Sequence, residues 1–193
     1  MANDIDVRER IRRGHVTLAL DTNATFKAGE AFLDLCHSIN RVNKKKALNV
    51  KLVVSSVVYM ELLHDLRERH GEGFRLQTVR RSLDDRYKIN VVHFEKHHAE
   101  HTASFLAQHY ETNEDWQAAK RRLCALQLNL VDAELYAARK KVKCSATLDW
   151  LLIGQADCEN WIVVTDEKKD EWEKFSSKIS LKEVNALLES MRN

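Results

Sequence analysis

The chain contains no proline and only five glycines in 193 residues, so neither a proline-rich spacer nor a flexible Gly/Ser linker marks a domain boundary. One domain over residues 1–193 is the expectation, since a chain of this length buries a good-sized core without disulfides or a structural metal. Long apolar runs are also missing. None approaches the roughly 18 residues that cross a bilayer, and the charged stretch Met1 to Arg13 lacks the apolar segment of a signal peptide. A cytoplasmic protein with no membrane partner is therefore expected. Cysteine is sparse: Cys36, Cys124, Cys144 and Cys158 form no Cys-x-x-Cys pair, which argues against a zinc knuckle or disulfide framework and for reduced, mostly buried thiols.

Charge of one sign is scarce as well, with a formal net charge of +2 although 31% of residues are charged. The composition, 44% hydrophobic, is that of an ordinary globular protein rather than a disordered one. Arg and Lys cluster at residues 8–13, 44–46, 80–81, 120–122 and 139–143. Such clusters suit phosphate contact, and they equally suit solvated helix faces.

Short apolar, β-branched runs at residues 16–20, 50–54, 89–94 and 161–164 read as strands, with a further short one near 178–181. Between them lie helical stretches near 24–45, 55–69, 74–86, 96–110 and 145–157. Ser180-Leu181-Lys182-Glu183 has the spacing of a capping box and predicts a final helix. Residues 110–143 carry two charge-rich helical segments with no strand between, which suggests a helical insertion or lid. Fully apolar strands alternating with helices predict an α/β fold with a parallel sheet covered on both faces. The functional groove of such a sheet lies beyond the carboxyl ends of its strands.

Acidic residues stand at those ends. Asp21 directly follows the first strand, and Asp166 follows Trp161-Ile162-Val163-Val164-Thr165. Glu61 borders a buried helix stripe beside Val58 and Leu62, and Asp149 opens a helix among apolar residues. No Lys or Arg lies at i±3 or i±4 to Glu61 or Asp149. Read singly, Asp149 is a helix N-terminal acid favoured by the dipole, and Asp21 and Asp166 are turn residues. Together they point to divalent metal, because unpaired buried carboxylates cost several kcal/mol and hard cations prefer oxygen ligands.

In these motifs the chain resembles the PIN-domain ribonucleases, particularly the VapC-type toxins of toxin–antitoxin pairs. Leu20-Asp21-Thr22-Asn23 looks like the family's opening Asp-x-Asn, and Tyr59-Met60-Glu61-Leu62-Leu63 like its Glu-Leu helix. Asp149-Trp150-Leu151-Leu152-Ile153-Gly154-Gln155-Ala156 is similar to its third acidic motif, and Val163-Val164-Thr165-Asp166 to its last, with Trp172 beyond. The resemblance implies a PIN-like three-layer α/β/α fold with a central, mostly parallel sheet. It also implies an Mg²⁺- or Mn²⁺-dependent endoribonuclease acting on single-stranded or loop RNA, with Asp21, Glu61, Asp149 and Asp166 as catalytic metal ligands. Thr22, Asn23 and Thr165 would orient those carboxylates. A protein antitoxin and a homodimer are the partners it implies besides RNA. Asp65 offers an extra carboxylate, and Glu167 and Asp170 compete with Asp166, which is favoured because it abuts the strand.

Two rival patterns remain. His97-His98-Ala99-Glu100-His101 fits the inverted zinc-protease order His-x-x-Glu-His, without a clear third ligand downstream. Asp21 with residues 165–170 also resembles the haloacid-dehalogenase phosphatases, but Asn23 stands where their second Asp acts as general acid. A non-catalytic RNA-binding or protein-interaction module is the alternative from another class.

Overall fold

The structure is a computed structural model that describes residues 6–110, 112, 114–115, 146–168 and 170–191. Most of the expected helical insertion at 110–143 lies outside these residues. Helix α1 (Val7–Arg13) leads into β1 (His15–Leu20), whose Leu18, Ala19 and Leu20 are fully buried. Two 3₁₀ turns, Thr22–Ala24 and Phe26–Ala28, then precede α2 (Glu30–Lys46). The helix expected from residue 24 starts later because Gly29 holds φ +57°, a left-handed value that interrupts the α conformation. Along α2, Phe32, Leu35, Cys36, Ile39 and Val42 are buried at i, i+3, i+4, i+7 and i+10.

Strand β2 (Asn49–Ser55) feeds α3 (Ser56–His70), capped by the Ser55 hydroxyl accepting from the Val57 N–H at 3.2 Å. Helix α4 (Leu76–Arg81) continues as a π-helical turn over Ser82–Tyr87, followed by β3 (Asn90–Val92), shorter than its apolar run suggests. Next come α5 (Lys96–His109), α6 (Ala146–Cys158), β4 (Ile162–Val164), α7 (Asp170–Glu173), β5 (Lys178–Ile179) and α8 (Leu181–Ser190). The Ser180/Glu183 capping box forms as its spacing predicts.

The five strands make one parallel sheet in the order β3-β2-β1-β4-β5. Helices flank it, α2 packing on α8 and α5 on α6, giving a three-layer α/β/α architecture. Parallel neighbours need helical crossovers, which accounts for the layers. Trp150 and Trp161 sit in the core as expected, at 1% and 6% exposure. The chain steps outward from β1 through β2 to β3, then restarts on the other side of β1 with β4. The carboxyl ends of β1 and β4 thus form the topological switch point, where a crevice opens. No helix of the described residues is long and apolar enough to cross a membrane.

Candidate metal site at the switch point

Asp21 leaves β1 at this crevice, its N–H still donating to the Val164 carbonyl of β4 at 3.1 Å. Its side chain is buried, 5% exposed. Oδ1 accepts from the Thr22 N–H at 2.7 Å, and Oδ2 accepts from the Thr165 hydroxyl at 2.7 Å. The Thr22 hydroxyl donates to Glu61 Oε2 at 2.7 Å, joining the β1 turn to α3. Asn23 donates through Nδ2 to Thr165 Oγ1 and accepts through Oδ1 from the Asp166 N–H, both at 3.4 Å. The three polar residues expected to orient carboxylates thus bridge the ends of β1, β4 and α3.

A cavity of about 370 Å³ opens here, with Asp21, Glu61, Asp65, Asp149 and Glu167 on its wall. Asp166 is exposed and does not line the cavity. Adjacency to the strand predicts Asp166, but in extended chain residues i and i+2 point the same way, so with Thr165 aimed at Asp21 the next side chain on that side is Glu167. The Glu167 N–H donates to Thr165 Oγ1 at 3.1 Å, which holds the turn. Asp170 begins α7, and its side chain lies outside the described part. Asp65 pairs with Lys27.

Among the described residues, five carboxylates face the cavity against Lys27, the one lysine or arginine on its wall. Burial first, then repulsion from Asp149 and Glu167, pushes the Asp21 carboxyl up to about 6, against the lowering effect of the Thr165 and Thr22 hydrogen bonds. Glu61 is raised by burial, then by Asp149 and Asp65, while Thr22 and Lys27 oppose the shift. All five acids offer oxygen, the donor that Mg²⁺ and Mn²⁺ prefer, and a cation among them would cancel the repulsion.

Gln155 positions α6, and with it Asp149. Fully buried, it accepts from the Ser55 hydroxyl at 2.6 Å and donates to the His93 carbonyl at 3.0 Å, tying α6 to the chain at the ends of β2 and β3. Its one sequence signal is that it is the only polar side chain between Trp150 and Ala156. Lys27 and His64 on the cavity wall carried no signal.

The zinc-protease pattern is not assembled. His101 pairs with Asp157 at 2.8 Å and Glu100 with Lys96 at 3.4 Å, so the pattern's second imidazole and its base are otherwise engaged. The basic run at residues 8–13 is partly structural: Arg10 donates to the Asn160 carbonyl at 2.7 Å and to Ser177 Oγ at 3.1 Å, and Arg8 pairs with Glu183 at 2.8 Å.

No family model and no curated protein matches the chain. Among solved structures, one titled "Toxin-antitoxin complex from Klebsiella pneumoniae" is similar, at 15% identity and a TM-score of 0.43, covering 85% of this chain and 97% of that one. So loose a likeness carries no argument about activity or partner.

Proposed function

We propose that the chain is an endoribonuclease dependent on Mg²⁺ or Mn²⁺, with Asp21, Glu61 and Asp149 as metal ligands and Glu167 as the fourth acid in place of Asp166. The observation that carries this reading is the convergence of these carboxylates on one cavity at the switch point, with a single lysine beside them among the described residues. When bound, the ion lowers the pKa of a water and stabilises charge on the scissile phosphate. Thr165 and Thr22 hold the Asp21 and Glu61 oxygens facing the cavity, as outer partners of metal ligands commonly do. Lys27, on the cavity wall and already steered by Asp65, offers its ammonium to a backbone phosphate. Accessible single-stranded or loop RNA is the substrate class, on the strength of the family resemblance. The same resemblance carries a toxin role, an antitoxin partner and a homodimer.

The phosphatase alternative gains nothing from the geometry. Asn23, where that chemistry needs an acid, is committed to Thr165 and Asp166. The test is incubation of the purified chain with labelled total RNA in EDTA, Mg²⁺ and Mn²⁺, beside Asp149→Ala. Discrete cuts that require metal and vanish in the variant support the nuclease. RNA binding without cleavage in either protein would replace it with a binding module.

A further inference from the structure

The opposite end of α6 gathers a different set of donors. His97 and His98, in the first turn of α5, face Cys158 and Glu159 at and just beyond the last residue of α6, and one donor atom from each lies within 4.8 Å of all the others. Asp149 lies nine residues before Cys158, about 14 Å along the helix at 1.5 Å per residue, so the two ends do not share an ion.

The hydrogen bonds divide the two histidines. His98 is buried, 2% exposed, and its Nδ1 accepts from the Glu95 N–H at 2.9 Å. A neutral imidazole with Nδ1 accepting carries its proton on Nε2, and that nitrogen lies 2.9 Å from Glu159 Oε1, a hydrogen-bond distance. Tetrahedral zinc, with bonds of about 2.0–2.3 Å, separates its ligand atoms by roughly 3.3–3.8 Å. His98 is thus a positioning residue that aims the Glu159 carboxylate. His97 differs on each count. Its Nδ1 faces the Glu95 carboxylate at 3.6 Å, an ion-pair distance rather than a hydrogen bond, and Nε2 is the ring nitrogen turned toward Glu159. Its Nε2 stands 3.6 Å from Glu159 Oε1, the separation expected of two ligands on one ion.

We propose that His97 Nε2, Cys158 Sγ and the Glu159 carboxylate form a second metal site, for a zinc-class cation, that joins the start of α5 to the end of α6. Thiolate, imidazole and carboxylate together suit a borderline-soft ion, whereas Mg²⁺ prefers oxygen alone. Three protein ligands leave the fourth position to water or to a group from another molecule.

The test is a Co²⁺ titration of the full chain, reduced and stripped of metal, with excess Mg²⁺ present to occupy oxygen sites. One equivalent is expected to produce a thiolate-to-cobalt charge-transfer band that Zn²⁺ displaces. Cys158→Ser should abolish the band, His97→Gln should weaken Co²⁺ binding at least tenfold, and Glu100→Gln should leave both unchanged. If Cys158→Ser fails to fold by circular dichroism, His97→Gln, altered at a half-exposed side chain, decides. Absence of the band in folded wild type, its persistence in Cys158→Ser, or unaltered affinity in His97→Gln would overturn the proposal.

Discussion

Helix α6 carries Asp149 in its first turn and Cys158 as its last residue, and the two ends meet unlike surroundings. At the first end every acidic donor is an oxygen, and Asp21 is buried deeply enough that its proton is held to about pH 6. At the far end the donors are mixed, and His97 and Glu159 are half-exposed. Between them Gln155 anchors the helix to Ser55 and His93, while Gly154 brings it against Thr102 of α5. One helix therefore positions both sets of proposed ligands, and the donor types at each end follow from what the neighbouring strand ends and helix present.

The sharpest way to break this contrast is at Asp149. Asp149→Ala is expected to lower metal-dependent RNA cleavage by roughly 100-fold or more, since losing even an outer partner of a metal ligand costs about 10–100-fold. Single-turnover assays with labelled RNA, with the fold checked by circular dichroism, would show it.

Next in size is the burial of charge at Asp21. In metal-free protein this carboxyl binds its proton up to about pH 6 when folded, against an ordinary 3.8. The folded state therefore holds more protons than the unfolded state between these values, and stability falls as pH rises through that window. Asp21's share is on the order of 3 kcal/mol, complete above pH 6 and absent below pH 4. Asp21→Asn in EDTA should remove most of this dependence, making the variant more stable than wild type at pH 8 but not at pH 4. Urea unfolding at the two pH values measures it. Mg²⁺ should stabilise wild type far more at pH 8 than at pH 5.

A smaller effect tests the shared helix. A Cβ on Gly154 would meet Thr102 Oγ1 at 2.0 Å and the Thr102 Cα at 2.8 Å. Gly154→Ala should cost about 1–3 kcal/mol by overpacking, lowering Tm by several degrees at roughly 2–4 °C per kcal/mol for a chain of this size. Thermal unfolding followed by circular dichroism provides the check.

The features legible in the sequence are those written locally. β1 and β2 show as apolar β-branched runs, and Ser180 as a cap with its partner three residues away. Asp21, Glu61 and Asp149 could be nominated because acids beside apolar runs demand partners. Helix α1 was not foreseen, because its one buried residue, Ile11, leaves no stripe and its anchors lie some 150 residues on, at Asn160. Gln155 was hidden for the same reason, with partners 100 and 62 residues away. The choice between Asp166 and Glu167 turned on which way a side chain points from an extended segment, which adjacency to a strand does not reveal.

On the proposed function, the acids around Asp21 share a divalent cation. Electron paramagnetic resonance of Mn²⁺, titrated into the metal-free chain at pH 8 beside Asp21→Asn and Glu61→Gln, tests it most directly. A shared cation predicts saturable loss of the free-ion signal in wild type, with affinity at least tenfold weaker in both folded variants. Equal Mn²⁺ uptake by wild type and both variants would contradict it.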